Sequence, residues 1–391
     1  VRALDPSMAE GAGRELRSIR DWMAKFVRVV GPGLYEVPLE LQLTDPAVVL
    51  KERYATCLDY VRTLASLLRG AGYEADLVFA ADNAKAAAEL RRRDREEKPN
   101  VSAYAAALCR VRVREGGFLW FGGRTKTYFV GTENEYAPLG VTGYEGCDFF
   151  DPATGEFGIV TVPEPELTEF REETSEYHVR PTGEVDINFE SLRYGPGVGA
   201  FRRQFSEILP EDRSRFYQSL LGAVAQGASA TGELETDVEG YPARLGFSCY
   251  VSDYAVVGGD SISIRLPSFD CAVPQFVGRK RETPFAVGAI DVMRETAIVR
   301  FPPGYTELEH VPASFTLRSP FAPDEVIVEN RVEVVSGGEG EGLTVKIVRE
   351  SPRREYRAYG AEALGLFRDW NALANSRANH VIIVRRPKNE N

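Results

Sequence analysis

Residues 51 to 79, KERYATCLDYVRTLASLLRGAGYEADLVF, constrain the fold more than any other stretch. Apolar residues at Leu58, Val61, Leu64, Ala65 and Leu68 recur on one helical face, and Gly70 and Gly72 follow where a helix should stop. The pattern predicts a buried helix opened by Cys57. Thr56 stands at its N-cap position, which leaves the Cys57 sulfur beside unpaired backbone N–H groups at the positive end of the helix dipole. A thiol in that place is expected to ionise more easily than usual. Residues 74 to 80, apolar at Leu77, Val78 and Phe79, predict a strand that returns alongside the helix. Taken without its surroundings, Cys57 also reads as a buried structural thiol.

At 391 residues the chain is long enough for two domains or three small ones. Its 43% hydrophobic and 27% charged residues are those of an ordinary globular protein. A net charge of -11 argues against nucleic acid as a partner, because a phosphate-reading surface needs a basic excess or stripe. The densest basic run, Arg91 to Arg93, is followed at once by Asp94, Glu96 and Glu97 and reads as a solvated helix face. Five cysteines (Cys57, Cys109, Cys147, Cys249 and Cys271) without a CxxC pair signal neither a disulfide framework nor a zinc site. No run of about 18 apolar residues marks a membrane span. The first residue, Val1, reads as the start of a piece of a longer protein.

Leu16, Ile19, Trp22, Met23, Phe26 and Val27 predict an amphipathic first helix with its aromatics in the core and Asp21 and several basic residues outward. Residues 82 to 98 predict a surface helix. From residue 106 the pattern alternates, with Cys109, Val111 and Val113 on one face and Arg110, Arg112 and Arg114 on the other, the mark of a half-exposed strand. Further strands are expected at 118 to 121 and 126 to 130, a turn at 151 to 155, and an exit linker at 163 to 176. Residues 199 to 225 predict a helical hairpin broken at Pro210. The rest is mostly strand by pattern, at 244 to 251, 261 to 266, 296 to 301, 314 to 318, 325 to 335 and 343 to 348, with a late helix at 360 to 374 and a last strand at 380 to 384.

A cysteine at the head of an apolar helix, followed by LLRGAGYEADLVF, resembles the core signature of the transglutaminase-like cysteine hydrolase superfamily. The resemblance continues through residues 128 to 146 (YFVGTENEYAPLGVTGYEG) and, more weakly, to the C-terminus, in the manner of large bacterial proteins with flanking β-sandwich domains. It implies an α+β fold: a transglutaminase/papain-like core over residues 1 to 180, a strand and helical hairpin connector over 181 to 228, and a β-sandwich domain with a late helix over 229 to 391. It also implies a periplasmic or cell-envelope location; from the residues themselves no cofactor and no metal are expected. Cys57 takes the place of the nucleophile, whose partners in the superfamily are a His and an Asp on the following strands.

Here the matching positions hold Ala106 and Gly131, and the residue two before the cysteine, often Gly, is Ala55. Only His178, His310 and His380 exist, none of them between Cys57 and Tyr177. A thiol nucleophile needs a base within hydrogen-bond reach, so Cys57 reads as a vestigial nucleophile. The leading expectation is a non-catalytic protein- or peptide-binding or structural module of a larger cell-envelope protein. A thiol-dependent amidase, peptidase or acyl transferase using His178 or Glu133 as an unorthodox base stays open, as does carbohydrate binding by the β-rich half. Residues 195 to 199 (GPGVG) lack the Lys-Ser/Thr of a phosphate loop, and Asp148 and Asp151 lack EF-hand spacing for calcium.

Overall fold

The computed structural model describes residues 12–81, 104, 106–115, 124–267, 282, 285–287, 292–318, 324, 326–336, 341–351 and 357–387. The helix expected over 82 to 98 with its arginine run, the strand expected at 118 to 121, and Cys271 lie outside the described residues. The fold is mixed α+β, with several sheets and six α-helices among the described residues. None of these helices is long and apolar enough to cross a membrane. The chain divides into two units: one comprises Val1–Glu169, Tyr194–Ser206 and Val238–Ala243, the other Phe170–Arg193, Glu207–Asp237 and Arg244–Asn391.

In the first unit, helix α1 (Ala12–Phe26) turns Leu16, Arg20 and Met23 inward, and Val27 just past its end continues that buried face in a 4-3-4 spacing. Trp22 and Phe26, expected in the core, are exposed and pack on each other with ring centroids 5.3 Å apart. Helix α2 (Pro46–Glu52) is capped by the Asp45 carboxylate, which accepts from the Ala47 N–H. Helix α3 (Cys57–Gly70) buries Leu58, Val61, Leu64, Ala65 and Leu68. It stops in a Schellman motif: the N–H of Gly72, at φ +90°, donates to Arg69 O and that of Tyr73 to Leu68 O.

The sheet behind α3 has the order β3-β2-β1-β4-β5, formed by β1 (Glu74–Ala80), β2 (Ala106–Glu115), β3 (Arg124–Val130), β4 (Asp148–Phe150) and β5 (Phe157–Ile159). All its neighbours are antiparallel, with Ala80 opposite Ala106 and Cys109 opposite Val130. Alternation along β2 separates two cores. Ala107, Cys109, Val111 and Val113 join the α3 side, while Ala106 and Leu108 pack with Val78, Phe129 and Phe149 on the other. Arg110, expected outward, is buried on that second side, where its guanidinium meets Asp151 at 2.6 Å, Glu156 at 2.8 Å and Asp76 at 3.4 Å. The expected turn at 151 to 155 forms around the same aspartate, whose other oxygen accepts from the Ala153 N–H at 2.9 Å. Helix α4 (Gly197–Glu207) belongs to this unit up to Ser206.

The second unit is built on a nine-stranded sheet. Its long strands are β6 (Phe170–Val179), β7 (Val185–Tyr194), β8 (Ala243–Val251), β9 (Met293–Arg300), β10 (Phe315–Arg318), β11 (Val326–Val335) and β12 (Thr344–Ser351), ordered β8-β7-β6-β9-β12-β11-β10. The segment expected as an exit linker makes one turn at Pro165–Leu167 and then becomes β6, a central strand parallel to β9. A four-stranded sheet joins Ala255–Gly258, Ser261–Arg265, Val381–Arg385 and Glu307–His310 in that order. Helix α5 (Pro210–Val224) belongs to this unit, and so does helix α6 (Leu364–Ala374), whose Leu364, Phe367 and Trp370 pack on Met293, Leu317 and Val328.

Candidate functional site

Cys57 opens α3 as its first residue. Thr56, in extended backbone conformation, accepts from the Asp59 N–H through its hydroxyl at 3.2 Å. The Asp59 carboxylate does not return to the cap. It is buried, accepts from the Thr44 N–H at 2.8 Å, and lies 3.4 Å from Arg62. This ties the loop before α2 to the head of α3.

The sulfur itself is half-buried and unbridged. Burial raises its pKa; the N–H groups of Leu58 and Cys57 pull it down, and the Asp59 charge pushes it up again. The balance is a thiol above its ordinary range, so the expectation of easy ionisation at the helix head is overturned. Desolvation and one nearby carboxylate outweigh two aligned N–H groups.

The positions that should supply partners are filled differently. Ala106 lies on the face of β2 that turns away from α3, so the residue of that strand facing the helix is Ala107, one position on. Neither Ala106 nor Ala107 carries a proton-transfer group. Gly131 follows β3. Its N–H donates to Glu133 Oε2 at 2.7 Å, and a Cβ placed on it would stand 2.7 Å from Glu133 Oε1 and 2.9 Å from Leu108 Cδ2. The Glu133 carboxylate thus fills the space that a side chain at 131 would take.

Glu133 has company that local pattern did not single out. Tyr60, one helical turn after Cys57, is buried, and its hydroxyl makes no hydrogen bond among the described residues. Burial, and then the charge of Glu133, push the Tyr60 phenol well above its ordinary pKa. Arg20, 1% exposed, reaches across from α1 to donate to Ala137 O at 2.7 Å and to Asp21 at 2.6 Å. Burial raises the Glu133 carboxyl to about 7, against the pull of the Gly131 N–H, its own N–H and Arg20. The cluster can therefore hold or release a proton near neutral pH.

None of the three histidines falls in the unit that holds Cys57. In the second unit, His178 lies 3.7 Å from Glu176, His310 Nε2 sits 2.9 Å from Ala378 O, and buried His380 places Nδ1 3.2 Å from Pro267 O. Among the described residues no group of three His, Cys, Asp or Glu side chains could hold a metal ion. Asp151 is engaged by Arg110 and by the turn it closes.

No family model matches this chain, and no curated protein matches it. A solved structure, that of a candidate protease from Parabacteroides distasonis, is similar at 10% sequence identity and a TM-score of 0.46, over 97% of this chain and 53% of that one. The chain therefore spans about half the length of that protein.

Proposed function

We propose that this chain is a transglutaminase-like fold without turnover, serving as a protein- or peptide-binding module of a larger cell-envelope protein. One observation carries the reading: the unit with Cys57 at a helix head, packed on an antiparallel sheet, contains no histidine, and its thiol is held above the ordinary range. A thiol that stays protonated attacks an amide slowly. Without a histidine in that unit the leaving amine lacks the superfamily's usual proton donor, and general acid–base help of that kind is worth on the order of 10²–10⁴-fold. The cell-envelope placement rests on the sequence resemblance alone. Incubation with simple amides and glutamine-containing peptides is expected to give no Cys57-dependent product. A rate that disappears in Cys57→Ser would overturn the proposal.

A second reading has its own support. Glu133 titrates at about 7 and fills the space beside Gly131, where the superfamily's carboxylate is expected. It is therefore the group that could serve as an unorthodox base for a thiol-dependent amidase, peptidase or acyl transferase. That reading requires Glu133→Gln to slow alkylation of Cys57 at pH 7, and an unchanged rate removes it.

A further inference from the structure

A cavity of about 460 Å³ in the second unit is bounded by the end of α5, the strand Ser261–Arg265 and the short helical turn Arg377–His380. Val224, Leu266 and Tyr254 give it apolar and aromatic walls, and Arg265, Arg377, Asn375 and His380 supply its polar lining. Its size falls in the lower part of the roughly 300–1,000 Å³ range of small-ligand sites.

The charge of this lining is one-sided. No Asp or Glu among the described residues lines the cavity, in a chain whose net charge is -11. Arg265 and Arg377 are exposed, and among the described residues neither makes an ion pair or a side-chain hydrogen bond. Arg180, Arg244, Arg294 and Arg331 of the same unit each meet a carboxylate. Two guanidinium groups on one cavity without a counter-charge favour an anion there. His380 is buried, with Nδ1 3.2 Å from Pro267 O, and burial holds it below its ordinary pKa, so it is a neutral wall near pH 7.

Asn375 adds a second requirement. Its amide nitrogen donates to Asn371 Oδ1, which leaves the amide oxygen as an acceptor with no donor among the described residues. The last residue of a peptide carries a carboxylate, an N–H and a side chain on one Cα atom, and so meets the cationic, accepting and apolar parts of the cavity together. Inorganic phosphate meets only the first. We propose that this cavity binds the free C-terminal residue of a peptide, with its carboxylate at Arg265 and Arg377, its N–H at Asn375 Oδ1 and an apolar side chain against Val224, Leu266 and Tyr254. Guanidinium groups suit the first role because they take a carboxylate in a two-pronged hydrogen bond. Every residue named lies in the second unit and none depends on the Cys57 thiol, so Cys57→Ser is expected to leave binding unchanged.

Calorimetric titration of the whole chain with N-acetyl-Ala-Leu tests this, beside its C-terminal amide, inorganic phosphate, and isocaproate, which keeps the leucine side chain and carboxylate but lacks the N–H. N-acetyl-Ala-Leu is expected to bind, and the other three to bind tenfold or more weakly than it does. Arg265→Gln and Arg377→Gln are each expected to weaken the acid tenfold while leaving the amide's affinity as it was. Asn375→Leu is expected to weaken N-acetyl-Ala-Leu and not isocaproate. All three side chains are exposed, and circular dichroism checks the fold of each variant. The comparison of acid with amide on the parent chain stands whatever the variants do. No binding of N-acetyl-Ala-Leu, equal affinity for acid and amide, isocaproate or phosphate binding as tightly as the peptide, or equal losses for acid and amide in the arginine variants overturns the proposal. The inert reading of Cys57 survives each of these outcomes, because turnover alone tests it.

Discussion

Gly131 and Glu133 are locked together: the glycine N–H donates to one carboxylate oxygen at 2.7 Å, and the other oxygen stands where a methyl group on residue 131 would have to go. Even alanine at 131 therefore displaces the carboxylate or presses on Leu108. Both displaced atoms end flexible side chains, so the main loss is the Gly131 N–H to Glu133 hydrogen bond, worth about 0.5–1.5 kcal/mol. Gly131→Ala should lose that much in urea denaturation. In the Glu133→Ala background, with the carboxylate gone, the same substitution should cost much less. Equal costs in the two backgrounds would show that the two residues do not share this space.

The same carboxylate makes stability depend on pH with a definite sign. Its folded pKa of about 7 lies above the ordinary 4.5, so the native state holds a proton that the unfolded chain releases between those values. Where the native state binds more protons, stability falls as pH rises. The contribution is complete below about 4.5 and is lost as pH passes about 7. Melting temperatures across that window should fall more steeply for the parent protein than for Glu133→Gln, whose side chain does not ionise. Parallel curves would contradict the raised pKa of this group.

Cys57 should behave as a slow thiol. Its pKa is raised above the ordinary 9.0, so the thiolate is scarce at pH 7, and iodoacetamide labelling should accelerate only as pH climbs beyond that value. Asp59→Asn removes the nearby negative charge that helps to hold the proton on. The labelling midpoint should then move to lower pH, read by mass spectrometry at the Cys57 peptide. A parent midpoint below 8 would mean that the helix head outweighs burial after all.

Much of the fold around Cys57 was legible because its information is local. Helix α3 announces itself through one apolar face and the two glycines of its Schellman end, and β2 through strict alternation. The failures share another cause. Arg20 and Arg110 carry charges that local pattern assigns to solvent, yet each is buried by a partner distant in sequence: Ala137 O for Arg20, and Asp151 for Arg110. Strand β6 was hidden in the same way. Its opening FREETSE falls in the segment read as an exit linker, but Glu172 meets Arg294 at 3.3 Å and Glu173 lies near Arg171, so these charges are matched within the sheet. The Glu133 cluster was only half visible. Its carboxylate could be named only through the superfamily resemblance, whereas Tyr60 and Arg20 join it only once α1, α3 and the turn after β3 come together.

Arg110 offers the largest expected loss of stability. Its guanidinium lies 2.6 Å from Asp151, a residue with 0% exposure, and over the Phe149 ring at 5.2 Å from the centroid. Burial alone would raise the Asp151 carboxyl; the N–H of Ala153, the Thr154 side chain and the Arg110 charge outweigh it and hold the pKa below the ordinary value. Arg110→Met keeps the bulk of the side chain and removes the charge, leaving a carboxylate buried with only neutral donors. Breaking one side of a buried ion pair typically costs about 3–5 kcal/mol. At pH 7 the variant should lose that much in denaturant unfolding. The deficit should shrink as pH falls, because without the guanidinium the Asp151 pKa rises and protonation discharges the group. Adding Asp151→Asn to Arg110→Met should recover part of the loss at pH 7, since no unpaired charge then remains. A loss below 1 kcal/mol, or one that does not change with pH, would mean that Glu156 and Asp76 rather than Asp151 are what the arginine serves.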